Sequence, residues 1–168
     1  MSCRLFLALW PDDAARDALL GLQAELIGGR PVLAANLHLT LAFLGQQPAN
    51  MVPLLRGLSQ RWSNFDYLLR FDQLGYFRRP RIAWVGMRDI PEPLIALHGS
   101  VQAALAEAGV SQSGVHDSFV PHVSLLRDAE PLSQRDIAPI MWRARGVVLA
   151  ESIVQPGGSQ YRILSRDG

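Results

Sequence analysis

The pattern histidine, apolar, hydroxyl, apolar is written twice in this chain, as His38-Leu39-Thr40-Leu41 and as His122-Val123-Ser124-Leu125, once in its first third and once in its last. A period of two fits a half-buried strand and not a helix, because strand side chains point alternately to opposite faces. His38 and Thr40 therefore share one face while Leu39 and Leu41 enter the core, and His122 and Ser124 do the same against Val123 and Leu125. Two such strands offer an imidazole and a hydroxyl each to a common cleft.

An unperturbed imidazole titrates at about 6.5, so a facing pair can hold one proton between them and act as acid and base together. Each such proton transfer contributes roughly a hundred- to ten-thousand-fold to a rate. Attack of water on a phosphodiester needs both, and hydroxyls beside the imidazoles can donate to its nonbridging oxygens.

The paired elements, LHLTLAFLG after an N-terminal RLFLALW and PHVSLLRDA toward the other end, resemble the two-histidine phosphoesterase superfamily. Within it the chain is most similar to the bacterial RNA 2′,3′-cyclic phosphodiesterases, also called 2′-5′ RNA ligases, and GYFRRPRIAWVGM and ESIVQPGGSQYRIL extend the likeness over most of the sequence. The resemblance implies a single domain, residues 1–168, of two pseudo-symmetric lobes, each a small antiparallel sheet backed by helices, with both histidines in the groove between them. It implies hydrolysis of RNA 2′,3′-cyclic phosphate ends to 2′-phosphates, with His38 as proton donor to the leaving 3′ oxygen and His122 as proton acceptor. Thr40 and Ser124 would hold the phosphate, and Arg127 matches an arginine of the family pattern. No metal or other cofactor is implied. The partner is an RNA end, tRNA-like fragments included, and neither a membrane nor an obligate protein partner is expected. Opening of the ring by an RNA 5′ hydroxyl in place of water would join such ends in a reversible 2′-5′ ligation. The alternatives are an RNA-end or nucleotide-binding module with weak turnover, or a phosphodiesterase of small cyclic nucleotides or 2′-5′ oligoadenylates.

Composition bounds these readings. With 168 residues, 49% of them hydrophobic and 18% charged, the chain fits one globular domain. A net charge of +1 leaves any contact with RNA local. All sixteen basic residues are arginine, which excludes a P-loop lysine and any lysyl-nucleotide intermediate. Cys3 is the only cysteine, so an internal disulfide is impossible and a cytosolic address fits. LFLALW followed by Pro-Asp-Asp reads as a buried strand and not as a signal peptide.

The remaining pattern predicts α+β architecture without steady βαβ alternation. Helices are expected from Pro11 to about Ile27, with Ala18, Leu19, Leu22 and Leu26 on one stripe, from Ala49 to Trp62 with Pro53 in the first turn, and from Pro93 to Ala108. Strands are expected at Arg4 to Trp10, Leu37 to Leu44 with Gly45 as the stop, Phe65 to Leu74, Arg81 to Met87 and His122 to Leu126. Trp142 to Val154 and Gln160 to Ser165 read as a closing pair around Pro156-Gly157-Gly158.

Parity also makes two negative statements. Phe43, at odd distance from His38, is expected in the core, and Arg127 lies opposite His122 unless its strand ends or bulges. The run Tyr76 to Arg81 reads as a turn between strands, its alternating aromatic and basic residues offering a second, RNA-contacting reading. His98 reads as a structural residue of its helix. His116-Asp117 hints at a metal phosphohydrolase but lacks the further ligands that such chemistry needs.

Overall fold

The structure is a computed structural model and describes residues 1–114 and 118–165; His116 and Asp117 lie outside the described residues. Among the described residues nine strands and three α-helices run in the order β1 (Ser2–Leu9), α1 (Asp13–Ala24), β2 (Arg30–Pro31), β3 (Leu39–Pro48), α2 (Val52–Gln60), β4 (Tyr67–Phe77), β5 (Ile82–Gly86), α3 (Glu92–Glu107), β6 (His122–Arg127), β7 (Arg135–Ala144), β8 (Val147–Gln155) and β9 (Gly158–Ile163). The fold is α+β, as expected.

Every strand pairing is antiparallel, in the order β7-β4-β5-β6-β3-β1-β8-β9, with the short β2 on β6. The two expected small sheets are halves of this order, β3-β1-β8-β9 and β7-β4-β5-β6, stitched between the motif strands by one residue pair, Leu39 with Val123. Helices cross between the halves. α1 comes after β1 yet packs on β6 and β7, and α3 comes after β5 yet packs on β3, while α2 covers β8. A main core of leucines, with Phe71 stacked on Trp142 at 5.4 Å, lies under these helices.

α1 opens on Asp12, whose carboxylate accepts from the Ala15 N–H at 2.8 Å. It ends at Ala24 instead of about Ile27, burying Ala15, Leu19 and Leu22, with Ala18 exposed and Leu26 beyond the helix. Gly28 and Gly29, at φ +84 and +76, then turn the chain into β2. Pro53 falls in the first turn of α2, where its missing N–H costs nothing. Among the described residues no helix is long and apolar enough to cross a membrane.

Candidate active site

Leu39 and Val123 are both fully buried and face each other across the seam. Carrying that antiparallel register outward by one residue sets His38 across from Ser124 and Thr40 across from His122. The two motifs thus form a two-fold quartet in which each imidazole faces the other motif's hydroxyl. Both histidines and both hydroxyl residues are half-buried, and Leu41 and Leu125 enter the core.

Both imidazoles are oriented in the same way. His38 Nδ1 lies 2.6 Å from the Asn36 carbonyl oxygen, and His122 Nδ1 lies 2.8 Å from that of Val120. Each Nδ1–H donates to the carbonyl two residues back, which fixes the tautomer and leaves Nε2 for the groove. His38 Nε2 accepts from the Thr40 hydroxyl at 2.9 Å.

Asn36 holds the His38 end in place. It is buried, its Nδ2 donates to the Ser159 carbonyl at 2.8 Å and its Oδ1 accepts from the Tyr161 N–H at 3.3 Å. Asn36→Ala strands both β9 groups and loosens the carbonyl that orients His38. Urea unfolding should show a loss of roughly 1–3 kcal/mol, and kcat should fall more than KM rises. An unchanged kcat would remove Asn36 from the positioning role.

Aromatic rings wall both imidazoles. Trp10 stacks on His38 with ring centroids 5.1 Å apart and 13° between planes, Phe6 lies at 4.9 Å, and Tyr161 meets it edge-on at 5.2 Å. Phe77 meets His122 edge-on at 5.0 Å, with Trp84 at 6.0 Å. Burial pushes the His38 imidazole down to about 4, the nearby charges of His122 and Arg127 adding to the effect against the Asn36 hydrogen bond. Burial also holds His122 below the usual histidine value, against its hydrogen bond to Val120. Burial thus favours the neutral form of both imidazoles.

Two matching β-bulges decide what else reaches the groove. Thr40 pairs with Ala8 and Ala42 with Leu7, leaving Leu41 unpaired; Ser124 pairs with Trp84 and Leu126 with Ala83, leaving Leu125 unpaired. The extra residue falls on the fourth position of each motif and inverts the parity of the residues after it. The freed Leu125 carbonyl accepts from Val32 N–H at 2.9 Å and from Gln23 Nε2 of α1 at 2.8 Å. The Leu41 carbonyl faces Gln102 Nε2 of α3 at 3.5 Å.

Arg127 consequently pairs with Ile82 on the face that carries Trp84 and His122, and its guanidinium donates to the Tyr161 hydroxyl across the groove at 3.2 Å. The bulge that strand parity left open is present. Phe43 corrects the sequence expectation: it pairs with Phe6 on the groove face and is 52% exposed, because the Leu41 bulge sends Ala42 and Leu44 into the core in its place.

A model of the 2′-5′ RNA ligase superfamily matches residues 11–152, a span that contains both motifs and both bulges. The chain belongs to the 2′-5′ RNA ligase superfamily. Within the superfamily it is 39% identical over 129 residues to an RNA 2′,3′-cyclic phosphodiesterase of Escherichia coli, covering 75% of this chain and 72% of that one. It is 29% identical over 178 residues to one of Thermus thermophilus, covering 97% and 88%. Among solved structures, Escherichia coli LigT in complex with 3′-AMP superposes with a TM-score of 0.82 at 34% identity, covering 98% of this chain and 96% of that one.

Several groove residues escaped the sequence reading. Phe6 and Trp10 lie on and just after β1, Trp84 on β5 and Tyr161 on β9, and only tertiary pairing brings them to the imidazoles. In the run Tyr76 to Arg81, Phe77 faces His122 whereas Arg78, Arg79 and Arg81 are exposed at the β4–β5 turn.

Proposed function

We propose that this protein hydrolyses RNA 2′,3′-cyclic phosphate ends to 2′-phosphomonoesters, using its two imidazoles as acid and base. The observation that carries the reading is the two-fold quartet about Leu39 and Val123, with both Nε2 atoms turned to one groove. The names of its relatives support the same substrate.

His122 Nε2 takes a proton from water as the water oxygen bonds to phosphorus. The bond from phosphorus to the 3′ oxygen breaks, and His38 Nε2–H returns a proton to that oxygen. Thr40, Ser124 and Arg127 hold the nonbridging oxygens and the charge that builds on them. The assignment of donor to His38 and acceptor to His122 rests on the family likeness. Ligation would be the same ring opening with an RNA 5′ hydroxyl in place of water, the O5′–P bond forming as the P–O3′ bond breaks to leave a 2′-5′ phosphodiester, and bulk water disfavours it by mass action. The two imidazoles supply every proton transfer, so turnover is expected to persist in a chelator.

The chain works as one two-lobed domain, since α1 and α3 each leave the lobe that precedes them to cover the other. Its single cysteine suits the reducing cytoplasm.

The pH profile of kcat/KM tests the chemistry. That quantity reports the free enzyme, in which one imidazole must be protonated and the other neutral. Protonation of the base forms the acid limb, and loss of the donor's proton forms the alkaline limb. With His38 pushed down to about 4 and His122 held below its usual value, both limbs should fall below the ordinary histidine value of about 6.5. The bound phosphate anion favours the protonated donor, so the alkaline limb of kcat should move to higher pH. A profile flat from acid to alkali would contradict acid/base catalysis by this pair.

A further inference from the structure

A side-chain hydrogen bond joins the two halves of the sheet across the groove. Arg127, at the end of β6 in one half, donates to the Tyr161 hydroxyl of β9 in the other. β9 alternates, so Tyr161 and Ile163 are half-buried on the side of Phe6, while Gln160 and Arg162 are exposed and Arg162 pairs with Glu151. Tyr161 is also fixed at its backbone and its ring. Its N–H donates to Asn36 Oδ1 at 3.3 Å, and its ring meets His38 edge-on at 5.2 Å and Phe6 edge-on at 5.1 Å. Asn36 thereby sets two groups at once, since its carbonyl orients the His38 imidazole.

A phenol carries one O–H donor and two acceptor lone pairs. Arg127 occupies one lone pair, and among the described residues no group accepts the O–H. A guanidinium that donates to the phenol oxygen polarises it and strengthens that O–H as a donor. The motif hydroxyl at this end is already engaged: Thr40 donates to His38 Nε2 at 2.9 Å and must turn before His38 can carry a proton there. Tyr161 needs no such turn, and donors fixed in advance are the ones that stabilise developing charge. On the His122 side the walls are Phe77 and Trp84, which bring no hydroxyl.

We propose that Tyr161 is a catalytic residue, its hydroxyl donating to the nonbridging phosphate oxygen that Arg127 holds, and more strongly as that oxygen gains charge in the five-coordinate phosphorane. This rests on the proposed function for the position of the phosphate. The phenol keeps its proton throughout, so the proton transfers stay with the two imidazoles. The two nonbridging oxygens become unlike: the arginine and the phenol hold one, and the motif hydroxyls hold the other.

Cyclic-phosphate RNA ends with sulfur at one or the other nonbridging position, separated as two diastereomers, test the proposal in the wild type and in Tyr161→Phe. Phenylalanine keeps the ring against His38 and Phe6 and removes only the hydroxyl. On the unmodified end kcat/KM should fall about a hundredfold, the order for losing one donor to a developing oxyanion. The wild type should favour one diastereomer by about tenfold or more, because sulfur is a weak acceptor for the donors that face it. In Tyr161→Phe that ratio should shrink severalfold. A merely structural loss lowers both diastereomers alike and leaves their ratio in place. An unchanged kcat/KM in Tyr161→Phe, a wild-type ratio near one, or a ratio that survives the substitution would overturn the assignment. If the wild type turns over no RNA end, the hydrolase reading fails, and binding of inorganic phosphate decides the assignment alone: roughly tenfold weaker binding in Tyr161→Phe sustains it, and equal binding overturns it.

Discussion

His38→Gln and His122→Gln should each lower kcat on a cyclic-phosphate RNA end by roughly a hundred- to ten-thousand-fold, the range for losing one positioned proton-transfer group. KM should change little, because Thr40, Ser124 and Arg127 remain to hold the phosphate. Glutamine keeps much of the shape between Trp10, Phe6 and Tyr161, so the loss reads chemistry and not collapse of the aromatic wall. The double variant should be scarcely worse than either single one, since acid and base act in one step and their effects do not add. Steady-state kinetics on all three, with circular dichroism as the check on folding, measures this. Independent, additive losses would mean that the imidazoles do not share a step.

Gly75→Ala should disable the other side of the groove. Gly75 pairs with Trp84, whose indole lies flat over it: a Cβ at position 75 would stand 2.5 Å from Cε2 and Cη2. Gly86, the strand partner of His122, gives the same ring room on its other side, where a Cβ would stand 2.7 Å from Cζ3. The indole must leave, and it packs on Phe77 and His122. Overpacking of this kind costs about 1–3 kcal/mol, and displacement of His122 should lower kcat as well. Trp84→Phe added to Gly75→Ala removes the colliding part of the indole and should recover part of both losses. A Gly75→Ala protein with wild-type stability and kcat would show that Trp84 does not fix His122.

The quartet was legible because its physics is local. Alternation alone puts His38 with Thr40 and His122 with Ser124 on the polar face, and burial of Leu39, Leu41, Val123 and Leu125 completes the pattern. The positions one residue further on were not legible. A bulge arises from pairing with a distant strand, so nothing within LTLAF or SLLR announces that Leu41 or Leu125 will be skipped. Arg127 and Phe43 both changed face for that reason. Gly45 misled in a related way: at φ +66 it sits at a second irregularity, which leaves Leu44 unpaired, and β3 runs on to Pro48 instead of stopping.

β7 was missed up to Trp142 because it is an edge strand, with Pro139 and charged residues where a central strand carries apolar ones. The expected single strand from Trp142 to Val154 divides at Gly146, φ +140, where the chain leaves one half of the sheet for the other. The hairpin at Pro156 to Gly158 formed where the turn residues placed it.

The most direct test of the central claim is the identity of the product. Chelator-treated protein is incubated with a short RNA ending in a 2′,3′-cyclic phosphate, and 2′- and 3′-monoesters are resolved. The expected result is conversion to the 2′-phosphate, abolished in both His38→Gln and His122→Gln. Formation of the 3′-phosphate, or turnover that survives either substitution, would contradict it.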